Sequence, residues 1–414
     1  MSLEIMGKNA KNASRFLRNV STDLKNNALK LIAEELVKNS DLILEKNKID
    51  VENAVKNGTS VSMIDRLTLD KDRIIKIAEG VKKVMDLPDP IGKVDGMVKR
   101  ENGLVIGKKR VPLGVIGIIY ESRPNVTVDT AVLCIKSSNA VILRGGSDAI
   151  NSNVAIANVM KNALKKAGFP KGTLEIIEDT SREVAKKLMT MNEYVDVLIP
   201  RGGASLIKTV VNTATVPVIE TGLGNCHAYV DETCDFDMAI DIIINAKTSR
   251  PSVCNALETV LINKNIDELF YQKLEKALTD KKVEIRGCDL TCKKFKTATK
   301  ATEDDYKYEF LDKIIAVKIV DDIDCAINHI EKYSTHHSEV IITDNYNNAT
   351  KFLNEVDSAA VYVNASTRFT DGYEFGFGAE IGISTQKMHA RGPMGLDELT
   401  SYKYIIYGDG QIRV

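Results

Sequence analysis

The chain has 414 residues, of which 44% are hydrophobic and 27% are charged, and its formal net charge at pH 7 is −1. This composition is typical of a folded globular protein with room for two or three domains, and it excludes an intrinsically disordered chain. The charge is close to zero and no dense basic block occurs, which argues against a nucleic-acid surface, and no run approaches the roughly 18 apolar residues of a membrane span.

The first part of the chain has a helical pattern from about residue 8 to residue 86, broken at residues 63–69. Residues 93–112 then alternate as an amphipathic β-hairpin, which is more typical of an interface arm than of an active site. The tail, residues 399–414, contains an apolar strand that needs a partner. We expect that partner to be the hairpin, from this subunit or from another one.

From residue 111 onward, short apolar strands alternate with helices, which predicts a doubly wound parallel sheet. The chain then crosses near residues 221–225 into a second α/β unit. The predicted strands are residues 114–120, 140–144, 174–177, 195–199, 258–262, 339–343 and 359–363, and helices are predicted at residues 126–136, 268–278 and 323–333.

Cys254 is the main candidate for a reactive group. Pro251 makes it unlikely that the preceding helix continues through Arg250, so Cys254 is expected on a short segment between a helix and a strand. Cationic neighbours such as Lys247 and Arg250 could lower the pKa of this thiol and make it a nucleophile. The alternative is a buried structural cysteine, the commoner environment for a single free thiol.

The other six cysteines do not suggest a second reactive or metal site. Cys288 and Cys292 are the only close pair, and no histidine lies near them in sequence, so we expect no metal. Cys226 and His227 are adjacent on a predicted strand and should point to opposite faces, which argues against a thiol–imidazole pair. An odd number of scattered cysteines favours a reducing compartment, and we expect the cytoplasm.

Two strand-to-helix turns could bind phosphates. The fingerprint G-x-G-x-x-G is absent, because His227 occupies the third glycine position after Gly222 and Gly224. However, Arg144-Gly145-Gly146 and Arg201-Gly202-Gly203 each place backbone amides and a guanidinium where a helix begins. The alternative for each glycine is a purely structural turn.

Two further polar residues follow strands. Asn125 could cap a helix, which its position alone favours, or donate its amide to a developing oxyanion. Glu220 could be a general base or a solvated glutamate, and the spacing does not decide between them.

Several long motifs occur in a fixed order along the chain, and together they resemble the aldehyde dehydrogenase superfamily. The closer resemblance is to its branch that makes L-glutamate 5-semialdehyde in proline biosynthesis, and it covers essentially the whole chain. The motifs that carry it are Tyr120-Glu121-Ser122-Arg123-Pro124-Asn125-Val126-Thr127, Ile199-Pro200-Arg201-Gly202-Gly203, Gly224-Asn225-Cys226-His227, Arg250-Pro251-Ser252-Val253-Cys254-Asn255-Ala256, Val363-Asn364-Ala365-Ser366-Thr367-Arg368-Phe369 and Met388-His389-Ala390-Arg391-Gly392-Pro393-Met394-Gly395-Leu396.

The resemblance implies that Cys254 is the nucleophile. The oxyanion hole would consist of the Asn125 side chain and the Cys254 backbone amide. Glu220 aligns with the residue that activates water in hydrolytic members, so its role as a possible base stays open in an enzyme that must not hydrolyse its thioester.

The resemblance also implies a set of cofactor-binding residues. Arg144, next to Gly145, falls where relatives usually have a lysine that contacts the adenosine ribose, and a guanidinium there would suit a 2′-phosphate and thus NADPH over NADH. Gly202 and Gly203 fall at the helix that receives the pyrophosphate, and Glu309 falls near a glutamate that binds the nicotinamide ribose.

The implied reaction is the NADPH-dependent reduction of L-glutamyl 5-phosphate to L-glutamate 5-semialdehyde, with release of phosphate, through a cysteine thioester. Arg250 and Arg123 are candidates for contacts with the substrate phosphate or carboxylate, although either could be a solvated or ion-paired arginine. Two alternatives are a hydrolytic aldehyde dehydrogenase and a catalytically silent nucleotide-binding protein.

The implied architecture is an aldehyde dehydrogenase-like α/β fold in three parts. Residues 1–94 and 112–228 would form a Rossmann-like cofactor-binding domain, and residues 229–384 an α/β catalytic domain. Residues 95–111 and 385–414 would form a β oligomerisation arm. The resemblance also implies a homo-oligomer and functional coupling to glutamate 5-kinase.

Overall fold

The computed structural model describes residues 2–121 and 123–413, so Ser122 of the motif around Asn125 lies outside the described residues. The chain forms two compact units. Unit 1 contains the chain up to Thr221, Gly376–Gly382 and the chain from Met394 onward. Unit 2 contains Gly222–Phe375 and Ile383–Pro393. The predicted assignment of cofactor, catalytic and assembly roles to parts of the chain stays a prediction.

Unit 1 begins with five helices, and polar side chains cap the first turns of three of them. Ser2 and Ser21 accept hydrogen bonds from the backbone amides three residues later, which satisfies otherwise unpaired donors. The predicted break at residues 63–69 was wrong in part, because a short helix ends only at Leu67. The five helices are α1 (Leu3–Leu17), α2 (Thr22–Lys38), α3 (Ser40–Lys56), α4 (Val61–Leu67) and α5 (Lys71–Asp86).

The hairpin and the first parallel sheet follow. The hairpin strands, β1 (Val94–Lys99) and β2 (Val105–Pro112), pair antiparallel as predicted. The sheet has the strand order β5-β4-β3-β6, and all its pairs are parallel, which confirms the predicted α/β pattern. Its elements are β3 (Val115–Tyr120), α6 (Pro124–Lys136), β4 (Ala140–Arg144), α7 (Ile150–Lys166), β5 (Leu174–Ile176), α8 (Arg182–Met189), β6 (Val197–Arg201) and α9 (Ala204–Thr213).

Unit 2 is built on a parallel sheet of seven strands in the order β10-β9-β11-β8-β7-β12-β13. Its central strand β8 is buried at every residue, as expected for a strand covered by helices on both faces. Its elements are β7 (Cys226–Val230), α10 (Phe236–Thr248), β8 (Leu257–Asn263), α11 (Glu268–Asp280), β9 (Glu284–Gly287), α12 (Asp289–Lys294), β10 (Thr299–Lys300), β11 (Ile314–Val320), α13 (Ile323–Tyr333), β12 (Ser338–Ile342), α14 (Tyr346–Glu355), β13 (Ala360–Val363), β14 (Ile383–Ser384) and β15 (Gly392–Pro393).

The tail returns to unit 1 as β16 (Thr400–Tyr407), which pairs antiparallel with β2 along its whole length. The tail strand therefore finds its predicted partner within the same chain rather than in another subunit. Side chains anchor the junction as well, since the Arg110 guanidinium donates to the Thr400 hydroxyl at 2.9 Å.

Every helix in the described part of the chain is too short or too polar to cross a membrane.

Candidate active site

Cys254 lies between the end of α10 at Thr248 and the start of β8 at Leu257, as the sequence predicts. The helix stops before Pro251, and the Ser249 hydroxyl donates to the Asn245 carbonyl at 2.7 Å in its last turn. The Cys254 side chain is partly exposed, whereas the residues of β8 that follow are buried. Cys254 is therefore partly exposed to solvent while its backbone leads directly into the buried strand β8.

The loop before β7 supports the backbone of Cys254. A Cβ at Gly224 would collide with the Cys254 carbonyl, so this close approach requires glycine. The buried Cys226 thiol donates to the same carbonyl with a sulfur–oxygen distance of 3.2 Å. Cys226 also contacts His337, whereas the ring of His227 lies beside Glu339, so the argument against a Cys226–His227 pair is confirmed.

Asn255, the residue after Cys254, is buried and connects this segment to the loop after β13. Its side-chain amide donates to the Thr370 carbonyl at 2.9 Å, and its backbone carbonyl accepts from the Thr367 hydroxyl at 2.8 Å. The Arg368 guanidinium donates to the Asn255 side-chain oxygen. These bonds join the motif that contains Cys254 to the motif that contains Arg368, although the two lie more than 100 residues apart in sequence.

Lys247, expected from the sequence to be a cationic neighbour of Cys254, forms a buried ion pair with Glu258. Its ammonium is fully buried and lies 2.6 Å from the Glu258 carboxylate, which is also fully buried. Burial lowers the pKa of Lys247 and raises the pKa of Glu258 to about 7, and the pairing of the two groups opposes both shifts. The pair joins α10 to β8 beneath the loop that carries Cys254.

We predict that Glu258→Gln lowers the free energy of unfolding by about 1.5 to 3 kcal/mol, because it replaces a charge-assisted hydrogen bond and leaves a buried ammonium without a counter-charge. Urea denaturation of the purified protein measures this. Glu331→Gln, the same change on an exposed face of α13, is the control and should leave the stability unchanged. Equal stability of both variants would contradict a role for the buried pair.

Glu309 lies close to the same loop. Its carboxylate accepts a hydrogen bond from the Gly224 amide at 2.9 Å. Burial raises the pKa of Glu309, and the Gly224 amide and Lys247 oppose this. The predicted contact of Glu309 with a cofactor ribose stays a prediction.

Asn125 belongs to unit 1, in the first turn of α6, and the interpretation of Asn125 as the helix cap was wrong. Arg123 occupies the cap position and Pro124 begins the helix, so Asn125 is the second helical residue. Its side-chain amide donates to the Asp129 carboxylate at 3.0 Å. Burial raises the pKa of Asp129 to about 6, against the influence of Asn125 and Arg201. Asp129 thus fixes the orientation of the Asn125 amide.

Arg144 ends β4 in unit 1, and its guanidinium donates to the Thr180 carbonyl. Its Nε is buried and has no hydrogen-bond partner among the described residues. Burial lowers the pKa of Arg144, and the charges of Asp179, Asp148 and Glu121 oppose this. Gly145 follows, and a Cβ there would collide with Asn153, so the turn is tightly packed.

Gly202 and Gly203 lie directly before α9, as the predicted phosphate turn requires. The Glu121 carboxylate accepts a hydrogen bond from the Gly203 amide at 2.9 Å. A Cβ at Gly202 would collide with that carboxylate. The start of this helix therefore already binds an anionic oxygen, as the amides of a helix N-terminus favour.

The remaining predicted site residues lie as follows. Arg250 is exposed on the Cys254 loop, Arg123 precedes α6, and Glu220 is partly buried just before the end of the first stretch of unit 1. Their predicted roles stay predictions. Arg368 was not predicted as a site residue, although it lies in one of the motifs that carry the family resemblance. The feature that could have predicted it is that Arg368 is the only charged residue in a highly specific motif of mostly small or polar residues.

Known protein sequences similar to this chain belong to one enzyme family. The aldehyde dehydrogenase family model matches residues 3–290. The chain is 62% identical over 411 residues to gamma-glutamyl phosphate reductase of Clostridium perfringens, covering 99% of each protein. It is 62% identical over 410 residues to the protein of the same name from Caldicellulosiruptor bescii, covering 98% of each.

Solved structures agree with these sequence matches. The crystal structure of gamma-glutamyl phosphate reductase from Thermotoga maritima superposes with a TM-score of 0.98 at 51% identity and covers 100% of both chains. An acetylating aldehyde dehydrogenase from Geobacillus thermoglucosidasius has a TM-score of 0.72 at 16% identity, covering 99% of this chain and 97% of that one. The second match shows the fold alone, and together they confirm the predicted aldehyde dehydrogenase-like fold.

Proposed function

We propose that the protein reduces L-glutamyl 5-phosphate to L-glutamate 5-semialdehyde with NADPH, through a thioester on Cys254. The premise is that the chain belongs to the aldehyde dehydrogenase family and, within it, to the gamma-glutamyl phosphate reductases of proline biosynthesis. The observation that supports the thioester is the placement of a partly exposed thiol on a segment whose backbone is held by Gly224, Cys226 and Asn255. A fixed backbone keeps the sulfur in one position for attack.

In the proposed mechanism, Cys254 attacks the C5 carbonyl of the acyl phosphate. The sulfur–carbon bond forms, the carbon–oxygen bond to phosphate breaks, and phosphate leaves. NADPH, when bound, supplies the hydride that reduces the thioester carbon. The thiohemiacetal then collapses to the aldehyde and regenerates the thiol. At each tetrahedral stage the Asn125 side-chain amide and the Cys254 backbone amide would stabilise the oxyanion. Glu220 remains a possible base.

The described residues of unit 1 fit a nucleotide with a pyrophosphate. Gly202 and Gly203 would hold the pyrophosphate, since the Gly203 amide already binds a carboxylate oxygen. Arg144, beside Gly145, would hold the ribose phosphate, and its buried Nε without a partner is a donor available for an anion. We assign the contact with the nicotinamide ribose to Glu309 in unit 2. NADPH is preferred over NADH in this proposal because of the Arg144 charge.

The cofactor assignment predicts an effect of Glu121. Glu121→Gln should tighten NADPH binding by about 2- to 5-fold, because a neutral amide replaces a carboxylate that competes with the pyrophosphate for the Gly203 amide. Fluorescence titration of NADPH measures this. Glu183→Gln, on the exposed face of α8, is the matched control. Weaker binding by Glu121→Gln would show that the carboxylate contributes to cofactor binding instead.

We further propose that the protein forms homo-oligomers through the sheet of β1, β2 and β16. Several large apolar side chains on this sheet are exposed, among them Val98 (59%), Tyr404 (62%) and Ile406 (58%). Contiguous exposed apolar side chains of this kind mark interaction surfaces.

We also propose a cytoplasmic location, because none of the seven cysteines forms a disulfide within the described chain. An acyl phosphate substrate also implies functional coupling to the kinase that phosphorylates glutamate.

The test of the proposed function is the reverse reaction, followed as NADP reduction with L-glutamate 5-semialdehyde, with and without inorganic phosphate. The proposed enzyme requires phosphate, because phosphate must attack the thioester to release the acyl group. A hydrolytic aldehyde dehydrogenase uses water and needs no phosphate. Phosphate-independent formation of glutamate would therefore overturn the proposal in favour of that alternative.

A further inference from the structure

Arg368 of unit 2 has a guanidinium that is fixed against both ends of the Cys254 loop. It lies in a single 3₁₀ turn, Thr367–Phe369, after β13. Its Nε donates to the Ser249 hydroxyl at 3.1 Å, and one terminal nitrogen donates to the Asn255 side-chain oxygen. Ser249 precedes Arg250 and Asn255 follows Cys254, so the guanidinium spans the loop that carries the nucleophile.

The orientation of Arg368 is well determined by its surroundings. Asn255 is 4% exposed and its amide nitrogen donates to the carbonyls of Thr370 and Arg368. Its side-chain oxygen therefore has one possible direction, towards the guanidinium. The acceptors of Arg368 are a hydroxyl and an amide oxygen, which orient the guanidinium without neutralising its charge.

Arg250, the residue after Ser249, contributes a second positive charge that acts on Arg368. Burial lowers the pKa of Arg368, and the charge of Arg250 lowers it further, while Asp371 and the thiols of Cys254 and Cys226 act in the opposite direction. Within the described residues of unit 2, no carboxylate forms an ion pair with Arg250 or Arg368. The carboxylates that do form ion pairs there do so with other cations, such as Lys247, Lys387 and Arg391. An anion that binds both guanidinium groups would offset the repulsion between their charges.

We propose that Arg368 and Arg250 bind the phosphate group of the acyl phosphate, and inorganic phosphate in the reverse reaction. This inference rests on the proposed function. In the forward step the thiol proton leaves with the phosphate as hydrogen phosphate, the sulfur–carbon bond forms and the carbon–oxygen bond breaks. The positive charges stabilise the negative charge that grows on the leaving oxygen.

The position favours phosphate over the substrate α-carboxylate. The phosphate is bonded to the carbon that Cys254 attacks, so it must lie within a few ångströms of the sulfur. The α-carboxylate is separated from that carbon by three further carbons. Arg368 is hydrogen-bonded to the residue next to Cys254, which places it near the leaving group.

The experiment measures the KM for inorganic phosphate in the reverse reaction, using the wild-type protein, Arg368→Gln, Arg368→Lys and Arg250→Gln. Arg368→Gln should raise the phosphate KM by about 10- to 100-fold, the loss expected for a charged hydrogen bond. Arg368→Lys should recover part of this loss, and the KM for the semialdehyde and the Kd for NADP should stay unchanged. Arg18→Gln, an exposed arginine of unit 1, is the matched control.

A rise in the semialdehyde KM with an unchanged phosphate KM would overturn the proposal and assign the pair to the carboxylate. If Arg368→Gln does not fold, Arg250→Gln tests the same site, because its guanidinium is exposed. Failure of the proposed function is detected separately, as phosphate-independent turnover of the wild-type protein. In that case protection of Cys254 from iodoacetamide by inorganic phosphate still reports the subsite: protection lost in Arg368→Gln supports it, and no protection of the wild-type protein overturns it.

Discussion

Cys254→Ala is expected to abolish reduction of the acyl phosphate, because the proposed mechanism forms the thioester on this sulfur. The fold should survive, since Cys254 is partly exposed and the Cys226 thiol and the Thr367 hydroxyl bind backbone carbonyls of this loop, which the substitution keeps. Steady-state turnover with NADPH and the far-UV circular dichroism spectrum together measure the two expectations.

Cys325→Ala is the matched control, because Cys325 is exposed in α13 and the variant makes the same chemical change. It should keep full activity. Mass spectrometry adds direct evidence: the wild-type protein, given semialdehyde and NADP without phosphate, should accumulate a glutamyl adduct on Cys254. Full turnover by a correctly folded Cys254→Ala protein would end the covalent mechanism.

Asn125→Ala is expected to lower kcat by about 100- to 1000-fold, the usual effect of removing one oxyanion donor. The structure supports this expectation, because the hydrogen bond to Asp129 orients the Asn125 amide. That bond uses one amide hydrogen and leaves the other for the proposed oxyanion. Single-turnover measurement of NADPH oxidation isolates the chemical step. Cofactor affinity should not change.

Asn158→Ala, on the exposed face of α7, is the control for Asn125→Ala. A loss of less than about 10-fold would show that Asn125 contributes little to the oxyanion hole, since a preorganised donor is worth more than that. Asp129→Asn gives an intermediate test. It keeps the side-chain volume but weakens the hydrogen bond that orients Asn125, so a smaller fall in kcat is expected.

Local patterns predicted much of the fold. Helix α13 begins and ends at the predicted residues, because its apolar spacing is regular and Asp322 caps its first turn. The position of Cys254 between a helix and a strand was also correct, because proline restricts the backbone before it. Strand β11 was missed, although it lies between β9 and β8 in the larger sheet. No turn signal separates it from the irregular segment before it.

The site was harder to predict because its contacts join distant parts of the sequence. Arg368 and Asn255 are 113 residues apart, and no local pattern reports their hydrogen bond. The pairing of Lys247 with Glu258 spans only 11 residues, but it crosses from α10 to β8 and depends on how helix and strand pack. The sequence therefore predicts Cys254 as the nucleophile, whereas only the three-dimensional structure shows the contacts that hold its loop.

The pairing of β16 with β2 has a consequence for folding during synthesis. The contact of Arg110 with Thr400 joins residues 290 positions apart. At the usual translation rate, β2 emerges from the ribosome about 15 to 60 s before its partner. Throughout that interval one edge of β2 presents unpaired backbone groups to solvent, so a nascent chain is most exposed to mispairing, and to chaperones that prevent it, until the last strand has been made.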